Sequence, residues 1–145
     1  MNKQIKQAAF AHEALMMNLA IFHLLIPVAA LSSGYITLLM SIALIGSLSM
    51  ITWIGYRAKQ TTTDLIQTHW QLAWKRCKLL LIAYAVSAGI MAIAWLIGLG
   101  QTDDNMKTIF IVVFSRIAVV PTIIMVMILF VVESSSLAQA RQGKQ

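Results

Sequence analysis

A single arginine, Arg116, lies inside the most apolar stretch of the chain and is the side chain best able to do chemistry there. The stretch covers residues 109–132, which places Arg116 about eight residues, or roughly 12 Å, from its start. A guanidinium stays protonated in proteins, and burying it in hydrocarbon costs about 2.5–3.5 kcal/mol. The chemistry that could offset this cost is binding of a carboxylate, a phosphate or another anion.

Three other polar side chains are predicted to lie near the depth of Arg116. They are His23, Ser41 and Ser87, so each of four apolar stretches contributes one member to a possible polar layer. Prolines offer a non-functional alternative, because Pro27 and Pro121 each free a backbone carbonyl that could accept hydrogen bonds. The sequence therefore predicts a partner- or anion-binding cluster at these four positions.

No acidic residue is found at the depth of Arg116, since Glu13 and Glu133 fall at the ends of apolar stretches. Three interpretations follow. The guanidinium could snorkel toward the membrane surface, pair with a carboxylate of another subunit or protein, or bind an anion or lipid headgroup in a hydrated cavity.

The composition indicates an all-α membrane protein. The 145 residues are 59% hydrophobic and 11% charged, with a mean hydropathy of +0.80, whereas soluble domains carry about 25% charged residues. Short connections predict a single membrane domain folded as an antiparallel bundle. For the first apolar stretch, residues 15–31, a cleaved signal peptide is the alternative. The predicted spans are residues 15–31, 35–56, 79–99 and 109–132.

Residues 62–78 predict a cytoplasmic, interfacial amphipathic helix between spans two and three. Thr61 and Asp64 resemble a helix start, and the apolar residues that follow recur at helical spacing. The helix could also run unbroken into span three. The polar tail after residue 132 is expected to fray. The candidate membrane anchors in this helix are Trp70, Trp74, Lys75, Arg76 and Lys78.

Basic residues predict the orientation and the compartment. The tails and the second connection carry nearly all the lysines and arginines, whereas the opposite side carries only Lys107. The positive-inside rule then places both termini in the cytoplasm of a bacterial inner membrane. The residues counted as cytoplasmic are Lys3, Lys6, Arg57, Lys59, Lys75, Arg76, Lys78, Arg141 and Lys144.

Several functional classes are disfavoured. The three histidines are scattered along the chain, and no catalytic or metal-ligand spacing is recognisable, so neither an enzyme nor a cofactor is expected. The lone Cys77 excludes an internal disulfide and is interpreted as a packing residue. The basic residues that give the chain its formal charge of +6 lie at the predicted membrane boundaries, so nucleic acid is not an expected partner.

The chain shares its length, its four spans and a glutamate in span one, Glu13, with two groups of small transporters. It is similar in these respects to the small multidrug resistance exporters and to the proteobacterial antimicrobial compound efflux proteins. The second group repeats an acidic motif near the start of span three. Here that position reads Lys75, Arg76, Cys77, Lys78, without an acid. Membership of either group is not inferred.

Two functions therefore fit the sequence. The first is a non-enzymatic accessory, assembly or cell-envelope-maintenance factor, in which Arg116 contacts a membrane-protein partner or lipid. The second is a small transporter or ion-conducting self-oligomer with a pathway lined by Arg116 and His23.

Overall fold

Helices are the only secondary-structure elements in the residues that the computed structural model describes, 3–60 and 63–143. Among these residues, four helices are long and apolar enough to cross a membrane, which confirms the predicted membrane character and number of spans. Lys3–Ser33 forms the first of them and comprises α1, a π-helical segment and α2. The elements are α1 (Lys3–Ala20), the π-helical segment (Ile21–Leu25), α2 (Ile26–Ser33), α3 (Ile36–Gln60), α4 (Asp64–Leu99) and α5 (Asp104–Arg141).

The first spanning helix changes its winding just before Pro27. Proline has no N–H to donate to the carbonyl four residues earlier, which is that of His23. The chain forms a π turn over Ile21–Leu25, and the N–H of Ile26 donates to the carbonyl five residues back. The helix ends at Gly34, whose φ of 74° is left-handed and costs glycine little.

The chain divides into two compact units. The terminal unit comprises Met1–Cys77 and Ile128–Gln145, and thus contains α1, α2, α3, the first part of α4 and the last part of α5. The central unit comprises Lys78–Met127 and contains the rest of α4 and α5.

Buried residues of the terminal unit recur three or four positions apart along each helix, which is the spacing of side chains on one helical face. Each helix therefore turns one face toward the interior of this unit. These faces include Ala8, Ala11, Leu15 and Leu19 of α1, Ala43, Ser47, Ile51, Ile54 and Ala58 of α3, Ile66, Trp70, Ala73 and Cys77 of α4, and Leu129, Glu133, Ser136 and Ala140 of α5.

Residues 64–78 are the first part of α4, not a separate interfacial helix. The helix continues without a break from Asp64 to Leu99, the second of the two arrangements that the sequence left open. The apolar face that suggested a surface helix packs inside the terminal unit, where Trp70 and Cys77 are 1% and 0% exposed. The predicted start at Thr61 and Thr62 lies outside the described residues.

The expectation that the polar tail frays after residue 132 is wrong. Helix α5 continues to Arg141 because polar positions beyond the apolar stretch are buried, with Glu133 0% and Ser136 6% exposed. Their hydrogen bonds, described below, supply the stabilisation that hydrophobic residues would otherwise provide.

The central unit buries little of its apolar surface. Ser87 of α4 and Thr122 of α5 share a hydrogen bond of 2.9 Å, and Ala118 of α5 is buried. Many large apolar side chains face outward, among them Ile93 and Ile124, each more than half exposed. An exposed apolar surface of this extent is typical of a site that contacts a membrane or another protein.

Close packing at Gly46 of α3 leads to a first prediction. A Cβ added at Gly46 would clash with the ring of Phe22 in the π-helical segment. We expect Gly46→Ala to destabilise the protein by about 1–3 kcal/mol, because the ring or the backbone must shift. The midpoint of reversible unfolding in detergent measures this effect.

Gly89 of α4 is the matched control, because a Cβ there meets nothing within 4 Å. Gly89→Ala should be neutral or stabilise the helix by about 0.5–1 kcal/mol. Equal behaviour of the two variants would contradict the close approach of Phe22 to Gly46.

Candidate functional site

A set of polar side chains, here called the polar network, is buried inside the terminal unit. Four of its members are at most 6% exposed, and the side chain of Arg76 is 12% exposed. Buried polar groups on this scale are stable only when they are paired. The members are His12 of α1, His69 and Arg76 of α4, and Glu133 and Ser136 of α5.

Helical spacing places these side chains on the buried face of their helices. His69 and Arg76 are seven residues, or about two turns, apart and thus share a face of α4. Glu133 and Ser136 are three residues apart on the buried face of α5. His12 lies on the buried face of α1, three residues before Leu15.

His12 occupies the middle of the polar network. Its Nδ1 lies 2.6 Å from Oε2 of Glu133, so the Nδ1–H donates to the carboxylate. Its Nε2 lies 2.9 Å from Nδ1 of His69, and the two rings are nearly perpendicular, at 87°. Because a hydrogen bond between two nitrogens needs one proton, either histidine can be the donor in this contact.

The second oxygen of Glu133 is also paired. Nη1 of Arg76 donates to Oε1 of Glu133 over 2.8 Å, and Nη2 donates to Oγ of Ser136 over 2.8 Å. The carboxylate thus accepts a hydrogen bond at each oxygen and is balanced by one guanidinium. Such complete pairing is what makes a buried charge tolerable.

Glu13, next to His12 in sequence, has the opposite environment. Its carboxylate accepts a hydrogen bond of 3.0 Å from Arg141, and both side chains are exposed, at 38% and 57%. An exposed pair of this kind contributes about 0–1 kcal/mol. The two glutamates therefore differ in burial, and only Glu133 belongs to the polar network.

The predicted anchors of the 62–78 segment divide into two groups. Trp70 is 1% exposed and makes edge contacts with Phe10 and Trp53, at centroid distances of 6.3 and 5.4 Å. Trp70 and Arg76 thus face the protein, which corrects their interpretation as side chains presented to lipid headgroups. The reason is that their helical face packs against other helices.

The remaining anchors lie nearer the surface of the protein. Lys75 and Lys78 are exposed, and Trp74 is half-buried. The ring of Trp74 packs so closely on Gly55 of α3 that an added Cβ would lie 2.8 Å from it. Of the five predicted anchors, only the two lysines are exposed, and their role at a membrane surface stays a prediction.

Arg116 lies in the central unit, and its side chain is exposed on α5. Among the described residues, it has no hydrogen bond or salt bridge. It faces away from the side of α5 that carries Ala118 and Thr122, because residues two apart on a helix point about 200° apart.

The other three members of the predicted polar layer are hydrogen-bonded elsewhere. His23 Nδ1 lies 3.3 Å from the carbonyl of Asn18, and the exposed Ser41 donates to the carbonyl of Thr37 on its own helix. Ser87 pairs with Thr122. None of these hydrogen bonds joins two members of the predicted layer.

We did not predict the polar network from the sequence, in which the histidines are far apart. His12 and His69 are 57 residues apart in sequence but in direct contact. The available signal was their phase, because His12, His69 and Glu133 each fall in step with the apolar positions of their helices. A titratable residue at such a position needs a partner, although the phase does not identify which one.

The chemistry open to the polar network is proton exchange. Within residues 3–60 and 63–143, no group of three or more histidine, cysteine or acidic side chains is arranged to hold a metal ion. Imidazoles can gain and lose protons near neutral pH, and here two are joined to each other and to a carboxylate.

Comparisons with known protein families, with curated proteins and with solved structures find no match to this chain.

Proposed function

We propose that the protein is a non-enzymatic accessory, assembly or cell-envelope-maintenance factor of a bacterial inner membrane, and that Arg116 contacts a partner. The observation that carries this proposal is the exposed guanidinium of Arg116 in a membrane-spanning helix, without a hydrogen bond or salt bridge to the described residues. A permanent cation in this position requires an anion from outside the chain or contact with water.

The surroundings of Arg116 favour an external ligand. It lies about 18 Å along α5 from the start of the helix at Asp104. Its neighbours on the outer surface are large apolar side chains, such as Val113 and Val120, each 48% exposed. A carboxylate of another membrane protein would pair with the guanidinium through two parallel hydrogen bonds, and a lipid phosphate is the competing anion.

The proposal includes an orientation. Both termini and the α3–α4 connection lie in the cytoplasm, and the spans run antiparallel, because basic residues concentrate at those ends. A reporter that is active only in the periplasm, fused after Gln145, should be inactive. The same reporter inserted in the α4–α5 connection, at Thr102, should be active.

Photocrosslinking tests the contact. A photoreactive amino acid that replaces Val113 or Val120 would lie on the exposed surface, within about one turn of Arg116. We expect a crosslink to a different protein in native membranes. Arg116→Leu should reduce the product at least tenfold, because a fully desolvated ion pair is lost, whereas Arg116→Lys should retain part of it.

Lys107→Leu is the control, because it removes a basic residue from the same helix outside the predicted apolar stretch. It should leave the crosslink unchanged. A crosslink to lipid alone would mean that Arg116 contacts a lipid headgroup and not a protein partner. A self-oligomer that conducts ions or substrate in liposomes would instead support the transporter interpretation.

A separate experiment tests whether the guanidinium of Arg116 is needed for function. If Arg116→Leu inserts normally and fully restores cells that lack the protein, the guanidinium only snorkels to the surface, and the proposed contact is abandoned.

A further inference from the structure

We propose that a cavity beside Arg57 of α3 binds a phosphate group, carried by a lipid headgroup or by a soluble phosphate compound. The cavity, here called the Arg57 cavity, has a volume of about 240 Å³, and its described lining residues all belong to the terminal unit. Arg116 belongs to the central unit, so this inference does not depend on the function proposed for it.

The lining of the Arg57 cavity favours an anion. Arg57 is the only charged residue among the described residues that line it, and Asp64, which directly follows the lining residue Thr63, is not one of them. The other polar groups of the lining are the amides of Gln7 and Gln60 and the hydroxyl of Thr63. Amides and hydroxyls can donate hydrogen bonds to an anion without adding a charge that repels it.

Contact with Trp70 of α4 holds the guanidinium of Arg57 at the cavity. Its central carbon lies 5.5 Å from the centre of the indole ring, and Trp70 is itself only 1% exposed. A cation–π contact is electrostatic and requires none of the five N–H donors of a guanidinium. Arg57 can therefore bind an anion while it keeps this contact and others. Phosphate oxygens match the planar fork of these donors.

A second cavity, of about 430 Å³, adjoins the first, since two residues of α1 line both. Lys3 and Lys6 line this second cavity, together with Glu13, whose carboxylate is paired with Arg141. The charged lining residues of the two cavities are thus three basic residues and one acid that already has a partner. The excess of positive charge would attract an anion toward Arg57.

The size and the apolar side of the Arg57 cavity match a headgroup. Pockets that hold whole small molecules typically measure about 300–1,000 Å³, whereas this cavity has about 240 Å³. Ile66 and Trp70, which are 7% and 1% exposed, form an apolar wall next to Arg57. Such a wall suits the glycerol carbons that adjoin the phosphate of a lipid.

The position of Arg57 along α3 also favours a lipid as the source of the phosphate. Arg57 directly follows the predicted apolar stretch of residues 35–56. Trp53 and Tyr56, at the same end of the stretch, are 38% and 59% exposed. Exposed aromatic residues at the end of a span are typical of the headgroup level of a membrane. We therefore expect lipid phosphates at the depth of Arg57.

Native mass spectrometry of the full-length protein in detergent tests lipid binding. The ligands are phosphatidylglycerol and a diacylglycerol with the same acyl chains, which lacks the phosphate. We expect phosphatidylglycerol to bind at least about tenfold more tightly, because only it can accept charge-assisted hydrogen bonds.

Isothermal titration calorimetry with glycerol 3-phosphate and with inorganic phosphate tests the soluble source. Binding of phosphatidylglycerol alone identifies a headgroup site, whereas binding of a soluble phosphate alone identifies a site for a soluble compound. The proposal is overturned if none of the three phosphate compounds binds, or if diacylglycerol binds as tightly as phosphatidylglycerol and no soluble phosphate binds.

Arg57→Gln removes the charge but keeps a side chain that can donate hydrogen bonds. It should weaken the binding of the phosphate compound about tenfold or more, because the charge-assisted hydrogen bonds are lost. Lys59→Gln is the matched control, because Lys59 is an exposed base on the same helix that does not line the cavity. It should change binding less than about twofold. Equal weakening in both variants would show that net charge and not the cavity binds the ligand, which contradicts the proposal.

Gln7→Trp tests the cavity without a change of charge. Gln7 is exposed and lines the cavity, so an indole in its place would fill part of the space at little cost to the fold. Binding should weaken as strongly as in Arg57→Gln. If Arg57→Gln does not fold, this variant decides, and unchanged binding in Gln7→Trp would overturn the proposal.

Discussion

Glu133→Leu should lower the free energy of unfolding by about 3–5 kcal/mol, the largest effect we expect from a single polar residue. The carboxylate is 0% exposed and pairs with both His12 and Arg76. Leucine would leave the guanidinium as a buried charge without a counter-ion and His12 without its acceptor. Reversible unfolding in detergent, followed by circular dichroism, measures the change.

Glu13→Leu provides the comparison for this prediction. Its salt bridge with Arg141 is exposed, so the expected loss is within about 1 kcal/mol. If the two glutamate variants were equally stable, the burial of Glu133 in the polar network would be wrong.

A double variant separates the pairing of Glu133 from its packing. Arg76→Met together with Glu133→Leu removes both charges and leaves side chains of similar length. This variant should recover at least about 2 kcal/mol of the stability lost in Glu133→Leu alone, because no uncompensated guanidinium is left buried. Simple addition of the two single effects would show that the residues do not interact.

Trp70→Ala should cost about 3–5 kcal/mol, the second large effect. The indole is 1% exposed and lies at the centre of an aromatic group, with Phe10 and Trp53 at its edges and Arg57 over its ring. Alanine would leave a cavity among three helices and remove these contacts. Thermal unfolding in detergent or in nanodiscs measures the loss.

Trp95→Ala is a stringent control, because Trp95 belongs to the same helix, α4, but is 57% exposed. Its loss should change stability by no more than about 0.5 kcal/mol. A small effect of Trp70→Ala, similar to that of Trp95→Ala, would favour the original interpretation of Trp70 as a membrane-surface anchor.

The amino-acid sequence alone determined that the chain is helical and has four segments long and apolar enough to span a membrane. Those properties are local, because an apolar stretch of about 20 residues needs no distant partner to span a membrane. The position of Arg116 along its helix was equally readable, since it follows from residue counting. The spacing of Ile66, Trp70 and Cys77 likewise revealed a helical face before its environment was known.

The tertiary structure decided what each face contacts. An apolar face can point to lipid or to protein, so Trp70 was interpreted as an anchor although it is buried. A polar residue beyond the last apolar position can be solvated or paired, and the partners of Glu133 lie 57 and 121 residues away in sequence. Pairing over such separations depends on how helices pack, a property of the folded chain that no local spacing encodes.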